Sequence, residues 1–317
     1  TSAPRLDVAR RASYSSVAMQ IAGKNVLITG AARGIGAATA RELAAHGARL
    51  ALVGLEPATL AALATELGGP AQSDGKHVWA EADVTDSTAL QAAVDHAVAS
   101  LGGLDVVVAN AGIASFGTVR RIDPEAFART VEVNLTGVFR TVQATLPHLI
   151  ASHGHVLVVS SLAALVPLVG SSAYGASKAG VEAFADTLRI EVAPLGVTVG
   201  CAHMSWIDTD MVRDIERELP AFRTMRQRLP WPFRSTTSAA DCAAAFGRAI
   251  ERRSRRVNVP AAIGVCHWIR PLVHSRLADA LIARRSTTMI TRLETEIGAL
   301  RRSVSRRWAQ RSARRGR

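Results

Sequence analysis

Tyr174 and Lys178 lie four residues apart in a stretch of helical composition, so both project from one face of that helix. A free tyrosine titrates near about 10 and is a poor base at neutral pH. A lysine ammonium a few ångströms away favours the phenolate, and each unit of lowering corresponds to about 1.4 kcal/mol. A phenol tuned in this way can accept a proton from an alcohol or return one to a carbonyl. An isolated Tyr-x-x-x-Lys pair is more often an ordinary surface pair. This chain, however, has only two tyrosines, and three lysines (Lys24, Lys76, Lys178) against 35 arginines, so a chance match at this spacing is uncommon. Ser161 ends an apolar run thirteen residues before Tyr174, where its hydroxyl is placed to hydrogen-bond a substrate oxygen. The adjacent Ser160 competes for that role.

A second constellation is the turn Thr29-Gly30-Ala31-Ala32-Arg33-Gly34-Ile35-Gly36, which follows the apolar run Asn25–Thr29 and precedes the helical stretch Ala37–His46. Glycines there permit a tight turn and close backbone approach to a phosphate. A helix N-terminus beyond them presents free N–H groups and a partial positive charge. Glycine also serves ordinary strand-to-helix turns, but this one opens the first βαβ unit, where dinucleotides bind. The spacing is G-x-x-x-G-x-G.

The elements that must position these groups alternate along the chain. Strands are expected at Asn25–Thr29, Leu50–Val53, His77–Ala82, Asp105–Ala109, Gly154–Ser160, Val197–Cys201 and Arg256–Pro260. Helices are expected between them: Pro57–Leu67 with Pro57 in its first turn, Ser87–Leu101, a long helical region over Pro124–Ile150, Tyr174–Ala193, and Ser238–Arg252 capped by Ser238. Short strands that are apolar throughout and separated by helices define a parallel sheet covered on both faces. The expected fold class is therefore a doubly wound, Rossmann-like three-layer α/β/α domain over residues 20–265. Residues 1–19 form an extension of no evident pattern, and 266–317 a basic helical extension with an amphipathic stretch at Met289–Leu300 and a disordered end.

Composition narrows the function classes. Apolar residues make up 48% of the 317, enough for a sizeable core. Cys201, Cys242 and Cys266 form no C-x-x-C pair, which argues for a reducing, cytoplasmic compartment and against a disulfide framework or a metal site. Neither a secretory signal nor a membrane-spanning run is apparent. Residues 251–317 hold 17 Arg and 4 acidic residues, a net of +13, whereas the remainder has 21 basic and 22 acidic residues, a net of −1. The basicity thus belongs to the C-terminal segment. It is either a solvated face or an attachment to an anionic membrane surface, since Trp268, Ile269, Leu272, Leu277 and Leu281 interleave with arginine. No nucleic-acid module accompanies it, and nucleic acid is not expected as a partner.

Six motifs in order over about 245 residues resemble the short-chain dehydrogenase/reductase family. Thr29–Gly36 resembles its TGxxxGIG cofactor motif, with Gly30, Arg33, Gly34, Ile35 and Gly36 at the phosphates. Asp83-Val84 resembles its adenine-contacting pair, and Asn110-Ala111-Gly112 its NAG motif. Asn134, in VNLTG, matches the active-site asparagine, and Ser161, Tyr174 and Lys178 match the Ser–Tyr–Lys set. The resemblance implies NAD or NADP as cofactor and hydride transfer between nicotinamide and a carbonyl or secondary alcohol. The positive ring of the oxidised cofactor would then help Lys178 acidify Tyr174. It further implies that Lys178 bonds the nicotinamide ribose, that Asn134 holds a water in a relay to Lys178, and that the chain forms a homodimer or homotetramer. A non-catalytic dinucleotide sensor or scaffold is the alternative, against which the intact Ser161, Tyr174 and Lys178 argue.

Two departures from the family pattern stand out. Gly54 replaces the Asp that binds the adenosine ribose in NAD enzymes, and Arg33 could face a 2′-phosphate. Yet Leu55 stands where NADP enzymes often carry Arg, and Glu56 could still reach the ribose, so both cofactors remain open. After the sixth strand, Cys201–Thr209 lacks Pro-Gly and reads as a loop two residues longer, with Ile207 and Thr209 at the carboxamide and His203 and Trp206 lining the pocket. Met211–Pro232 is expected to be a substrate lid. Its bulky apolar side chains either recognise a hydrophobic alcohol or ketone or merely pack the lid down.

Overall fold

The apolar runs of the sequence are buried on both faces because helices cover them on both sides. The computed structural model describes residues 18–68, 77–231 and 233–300. Seven parallel strands form its central sheet: β1 (Asn25–Thr29), β2 (Arg49–Gly54), β3 (His77–Glu81), β4 (Val106–Ala109), β5 (His155–Val159), β6 (Thr198–Met204) and β9 (Arg256–Val259). Their order is β3-β2-β1-β4-β5-β6-β9, so the strand order reverses between β1 and β4. That reversal opens a crevice beyond the carboxyl ends of the two strands, where doubly wound sheets bind ligands. A separate parallel pair joins β7 (Trp206–Ile207) to β8 (Thr236–Thr237).

On one face lie α1 (Gly34–Ala45), α2 (Pro57–Glu66) and α9 (Ala239–Glu251), burying Leu43, Leu60, Phe246 and Ile250 against the sheet. On the other lie α3 (Ser87–Leu101), α5 (Gly137–Ser152) and α6 (Ser172–Val192), which contribute Leu90, Val142, Val181 and Leu188. Each fully buried side chain of this size contributes roughly 1.5–3 kcal/mol. The capping residues act as their types require. Asp86 accepts the N–H groups of Thr88 and Ala89 at the start of α3, and Ser238 that of Asp241 at the start of α9.

Several boundaries differ from expectation. The long helical region over 124–150 is interrupted: α4 (Pro124–Val131) passes through a π-helical turn at Glu132–Thr136 before α5 begins. Strand β6 runs on to Met204, three residues beyond the expected end, so His203 and Met204 are strand residues and no longer loop exists there. Met19, assigned to the N-terminal extension, is buried in the core, and its N–H bonds the Glu251 carbonyl at 2.6 Å. The lid segment forms α7 (Asp210–Glu218) and α8 (Pro220–Gln227), and the C-terminal segment forms α10 (Val265–Val273) and α11 (Arg276–Leu300). The proposed disordered end and residues 1–17 lie outside the described residues.

Candidate active site

The cleft at the sheet's switch point is lined by the glycine turn, the ends of β4 and β5, and α7. Gly30 has φ +65, and a Cβ there would stand 2.8 Å from the Ala111 Cα. A Cβ on Gly36 would stand 2.2 Å from the Gly30 carbonyl oxygen, so only glycine lets α1 start this close to the turn. The α1 N-cap, Arg33, is extended and gives no side-chain cap, and no acidic residue occupies the first turn. The helix end thus faces the cleft with its partial positive charge unopposed. This cradle fits the pyrophosphate of a dinucleotide. Thr29 ties it to β4, its hydroxyl accepting the N–H groups of Asn110 and Ala111 at 3.1 and 3.2 Å. The Asn110 amide donates to the Thr29 carbonyl at 3.0 Å.

Further along the cleft, Gly54 ends β2 and Leu55 and Glu56 lead into α2. The Arg33 guanidinium sits 3.0 Å from the Glu56 carboxylate and 4.0 Å from that of Asp210. Asp83 and Val84 line the same side. Burial works to raise the Asp83 carboxyl, but hydrogen bonds from Thr85 and the charge of Arg129 at 2.9 Å outweigh it and hold it below the usual range. Arg129, a lining residue that the sequence reading missed, is placed by α4, whose first turn Asp123 caps.

Ser161, Tyr174 and Lys178 are brought together where β5 and α6 meet. Lys178 is buried and donates to the Val159 carbonyl at 2.8 Å, with its Nζ 5.7 Å from the Tyr174 ring centroid. Burial lowers its ammonium to about 8. The phenol of Tyr174 is pushed up by burial, while a hydrogen bond with Ser161 acts to lower it. The lowering expected from Lys178 is not found in this arrangement, because desolvation outweighs the Ser161 hydrogen bond and the phenol stands above its ordinary value. Ser160 is not the equivalent of Ser161, since its hydroxyl donates to the Lys178 carbonyl at 2.8 Å.

Asn134 lies within the π turn, buried. Its Oδ1 accepts the Ile113 N–H at 2.8 Å, and its Nδ2 donates to the Ile113 carbonyl at 2.9 Å and the Ser177 hydroxyl at 3.0 Å. It thus fastens the segment after Gly112 to α6. A Cβ on Gly112 would lie 3.2 Å from Asn134 Oδ1 and 3.6 Å from Lys178 Nζ, which places the three side by side.

Two expectations for the segment after β6 are corrected, those for His203 and Trp206. Ile207 buries its side chain in the core with Met204 and Phe246, and Thr209 lines the cleft beside Gly34. His203 points away from the cleft. It is fully buried, 3.4 Å from Glu182 and edge-on to His267 at 4.8 Å, because strand alternation turns it to the far face. Trp206 packs on Phe222 at 5.4 Å and donates its indole N–H to the Phe233 carbonyl at 2.6 Å, supporting the lid and not lining the cleft. In their place, Met204, Met211, Asp214 and Ile215 line the substrate end. The strongly amphipathic α7 was the signal available for the last three. Behind Ile215, the lid residues Leu219 and Phe222 meet Phe116 and, from α11, Leu293 and Ile297. Among the described residues, no cluster of His, Cys, Asp or Glu suits a metal ion.

Sequence and structure comparisons agree with this geometry. The short chain dehydrogenase family matches residues 24–220, and the chain belongs to that family. It is 37% identical over 206 residues to a trans-4-hydroxycyclohexanecarboxylate dehydrogenase of Sinomonas cyclohexanicum, covering 64% of this chain and 80% of that one. It is 36% identical over 208 residues to a (-)-trans-carveol dehydrogenase of Rhodococcus erythropolis, covering 62% and 75%. A 3-ketoacyl-(acyl-carrier-protein) reductase from Brucella melitensis, solved with NADH, superposes with a TM-score of 0.67 at 26% identity, covering 75% and 97%. The protein is thus a nicotinamide-dependent oxidoreductase acting on CH–OH groups.

Proposed function

We propose that the chain interconverts an apolar, ring-borne secondary alcohol and its ketone, with Tyr174 as the proton-transferring group. The observation that carries this reading is Tyr174 beside buried Lys178, both lining the same cleft as the glycine cradle, with the Ser161 hydroxyl acting on the phenol. When bound, the nicotinamide accepts or supplies the hydride. Gly30, Gly34, Ile35 and Gly36 hold the dinucleotide phosphates, Asp83, Val84, Asn110, Ala111 and Gly112 the adenosine side, and Thr209 the carboxamide. Ser161 holds the substrate oxygen, and Tyr174 takes the hydroxyl proton or returns it. Lys178 supplies a positive field that favours the phenolate, while Asn134 positions Lys178 through Gly112 and Ser177.

The substrate end supports an uncharged ring. Met204, Met211 and Ile215 give apolar area, and the Asp214 carboxylate beside them is paired with Arg217 at 3.3 Å. A carveol-like alcohol suits this lining better than a hydroxycyclohexanecarboxylate. Exposed Phe139 on α5 and Ile190 on α6 support self-association as a dimer or tetramer. Three free, buried cysteines accord with a cytoplasmic setting.

The test is titration with NADH and NADPH, followed by a screen of cyclic secondary alcohols and ketones against the wild type and Tyr174→Phe. Turnover by the wild type and none by the variant is expected. A variant that keeps most activity would end the assignment of Tyr174, and cofactor binding without turnover on any substrate would favour a sensor.

A further inference from the structure

Ten large apolar side chains are exposed among the described residues, and five of them fall between Val265 and Leu281. On α10, Val265, Trp268 and Leu272 share one face, and Trp268 is 86% and Leu272 64% exposed. Leu277 and Leu281 continue this surface at the start of α11, Leu277 being 68% exposed. The opposite face of α10 is the polar one. His267 bonds Asn258 at 3.2 Å, and Arg270 pairs with buried Glu182 at 3.1 Å. A surface helix ordinarily turns its apolar face to the core and its charges outward. Here the orientation is reversed, and the charged anchors hold α10 so that its apolar face points away from the domain.

Charge identifies the occupant of that face. Residues 265–317 hold 13 Arg and 3 acidic residues, a net of +10 out of the chain's +12. Within 265–285, Asp279 is the one acidic residue, and Arg276, Arg284 and Arg285 are exposed beside the apolar patch. Apposing two copies of so basic a face would set like charges against each other. Nucleic acid would satisfy the arginines but would offer no apolar layer to Trp268 and Leu272. An anionic bilayer satisfies both, with phosphates for the guanidinium groups and an acyl boundary for the side chains between them.

We propose that α10 and the first turns of α11 dock on an anionic membrane surface, with Trp268, Leu272 and Leu277 entering the headgroup–acyl boundary. The contact is peripheral, because among the described residues no helix is long and apolar enough to span. It does not depend on the catalytic reading.

The test is sedimentation of the full chain with vesicles of phosphatidylcholine alone and with vesicles in which about a third of the lipid is phosphatidylglycerol. Binding is expected to be ~10-fold or more tighter on the anionic vesicles and to weaken as salt is raised. Trp268→Ala combined with Leu272→Ala should lower it by ~10-fold again, with NADH affinity and circular dichroism unchanged. Leu277→Ala is an independent second variant expected to weaken binding in the same direction. Negligible binding to both vesicle types would overturn the proposal. So would binding to anionic vesicles that neither set of substitutions affects, which would leave the arginines alone responsible. A change of oligomeric state in the variants without vesicle binding would reassign the face to a second copy.

Discussion

Glu296 on α11 accepts the Ala221 N–H on both carboxylate oxygens, each at 3.0 Å. Ala221 is in the first turn of α8, where the N–H groups lack intrahelical partners and the helix dipole favours an anion. One helix thus caps another across 75 residues of sequence. The same α11 inserts Leu293 and Ile297 beneath Phe222, and Glu294 accepts the Thr118 hydroxyl at 2.7 Å. The lid is thereby strapped to the loop after β4 by a helix outside the matched family segment.

Removing this strap should loosen substrate binding more than the fold. Glu296→Ala is expected to lower stability by about 0.5–2 kcal/mol, the usual range for a lost helix cap. It should raise KM for the alcohol several-fold while NADH affinity is kept. Glu296→Gln, which retains an acceptor, should recover part of the loss. Steady-state kinetics and thermal melts decide it, and a Glu296→Ala enzyme with unchanged KM would show that the lid holds itself.

The Ser161–Tyr174 hydrogen bond predicts a pH signature. A bond that lowers the phenol's pKa favours its ionised form, so its loss raises the pKa. For alcohol oxidation, the rate should rise with pH as Tyr174 becomes a base. Ser161→Ala should move that rise to higher pH in addition to lowering the plateau by about 100-fold or more. A kcat–pH profile displaced toward acid would contradict the arrangement.

Lys178 should cost stability for its function. Its ammonium is lowered to about 8 by burial, so between that value and the unfolded value the native state binds fewer protons than the unfolded chain. Native stability on this account rises as pH climbs from about 8 toward 10.5, and the full burial penalty is present below 8. Lys178→Met removes the penalty but leaves the Val159 carbonyl without its donor. A net gain of roughly 1–2 kcal/mol at neutral pH, shrinking at alkaline pH, is expected alongside loss of turnover. Melting temperatures of both proteins against pH test it, and a variant less stable at every pH would refute it.

Cofactor choice should follow the Arg33–Glu56 pair. At 3.0 Å, the carboxylate already engages the cation that a 2′-phosphate would need and adds a negative charge beside the ribose. NADH should therefore bind more tightly than NADPH. Glu56→Ala, which removes the nearer of the two carboxylates beside Arg33, should strengthen NADPH binding by ~10-fold, equivalent to about 1.4 kcal/mol. Fluorescence titration of each cofactor with both proteins would reveal equal or opposite preferences if the pair plays no part.

Sequence alone was enough for the sheet, the glycine turn and the Tyr174–Lys178 pair, while Ser161 rested on the family resemblance. Those depend on local rules: apolar runs that only a buried strand accepts, glycines where a Cβ cannot fit, and a four-residue spacing that any helix converts into one face. Ser238 as a cap and Pro57 in a first turn were legible for the same reason. Tertiary structure decided what depends on contacts between distant segments. The π turn that carries Asn134 to Ile113 leaves no mark in periodicity, and the sign of the Tyr174 shift follows from enclosure by several elements at once. Which face His203 takes is fixed only by the three further residues of β6. Glu296 and Leu293 read as part of an amphipathic tail, because a helix shows its own stripe but not the lid against which the stripe will close.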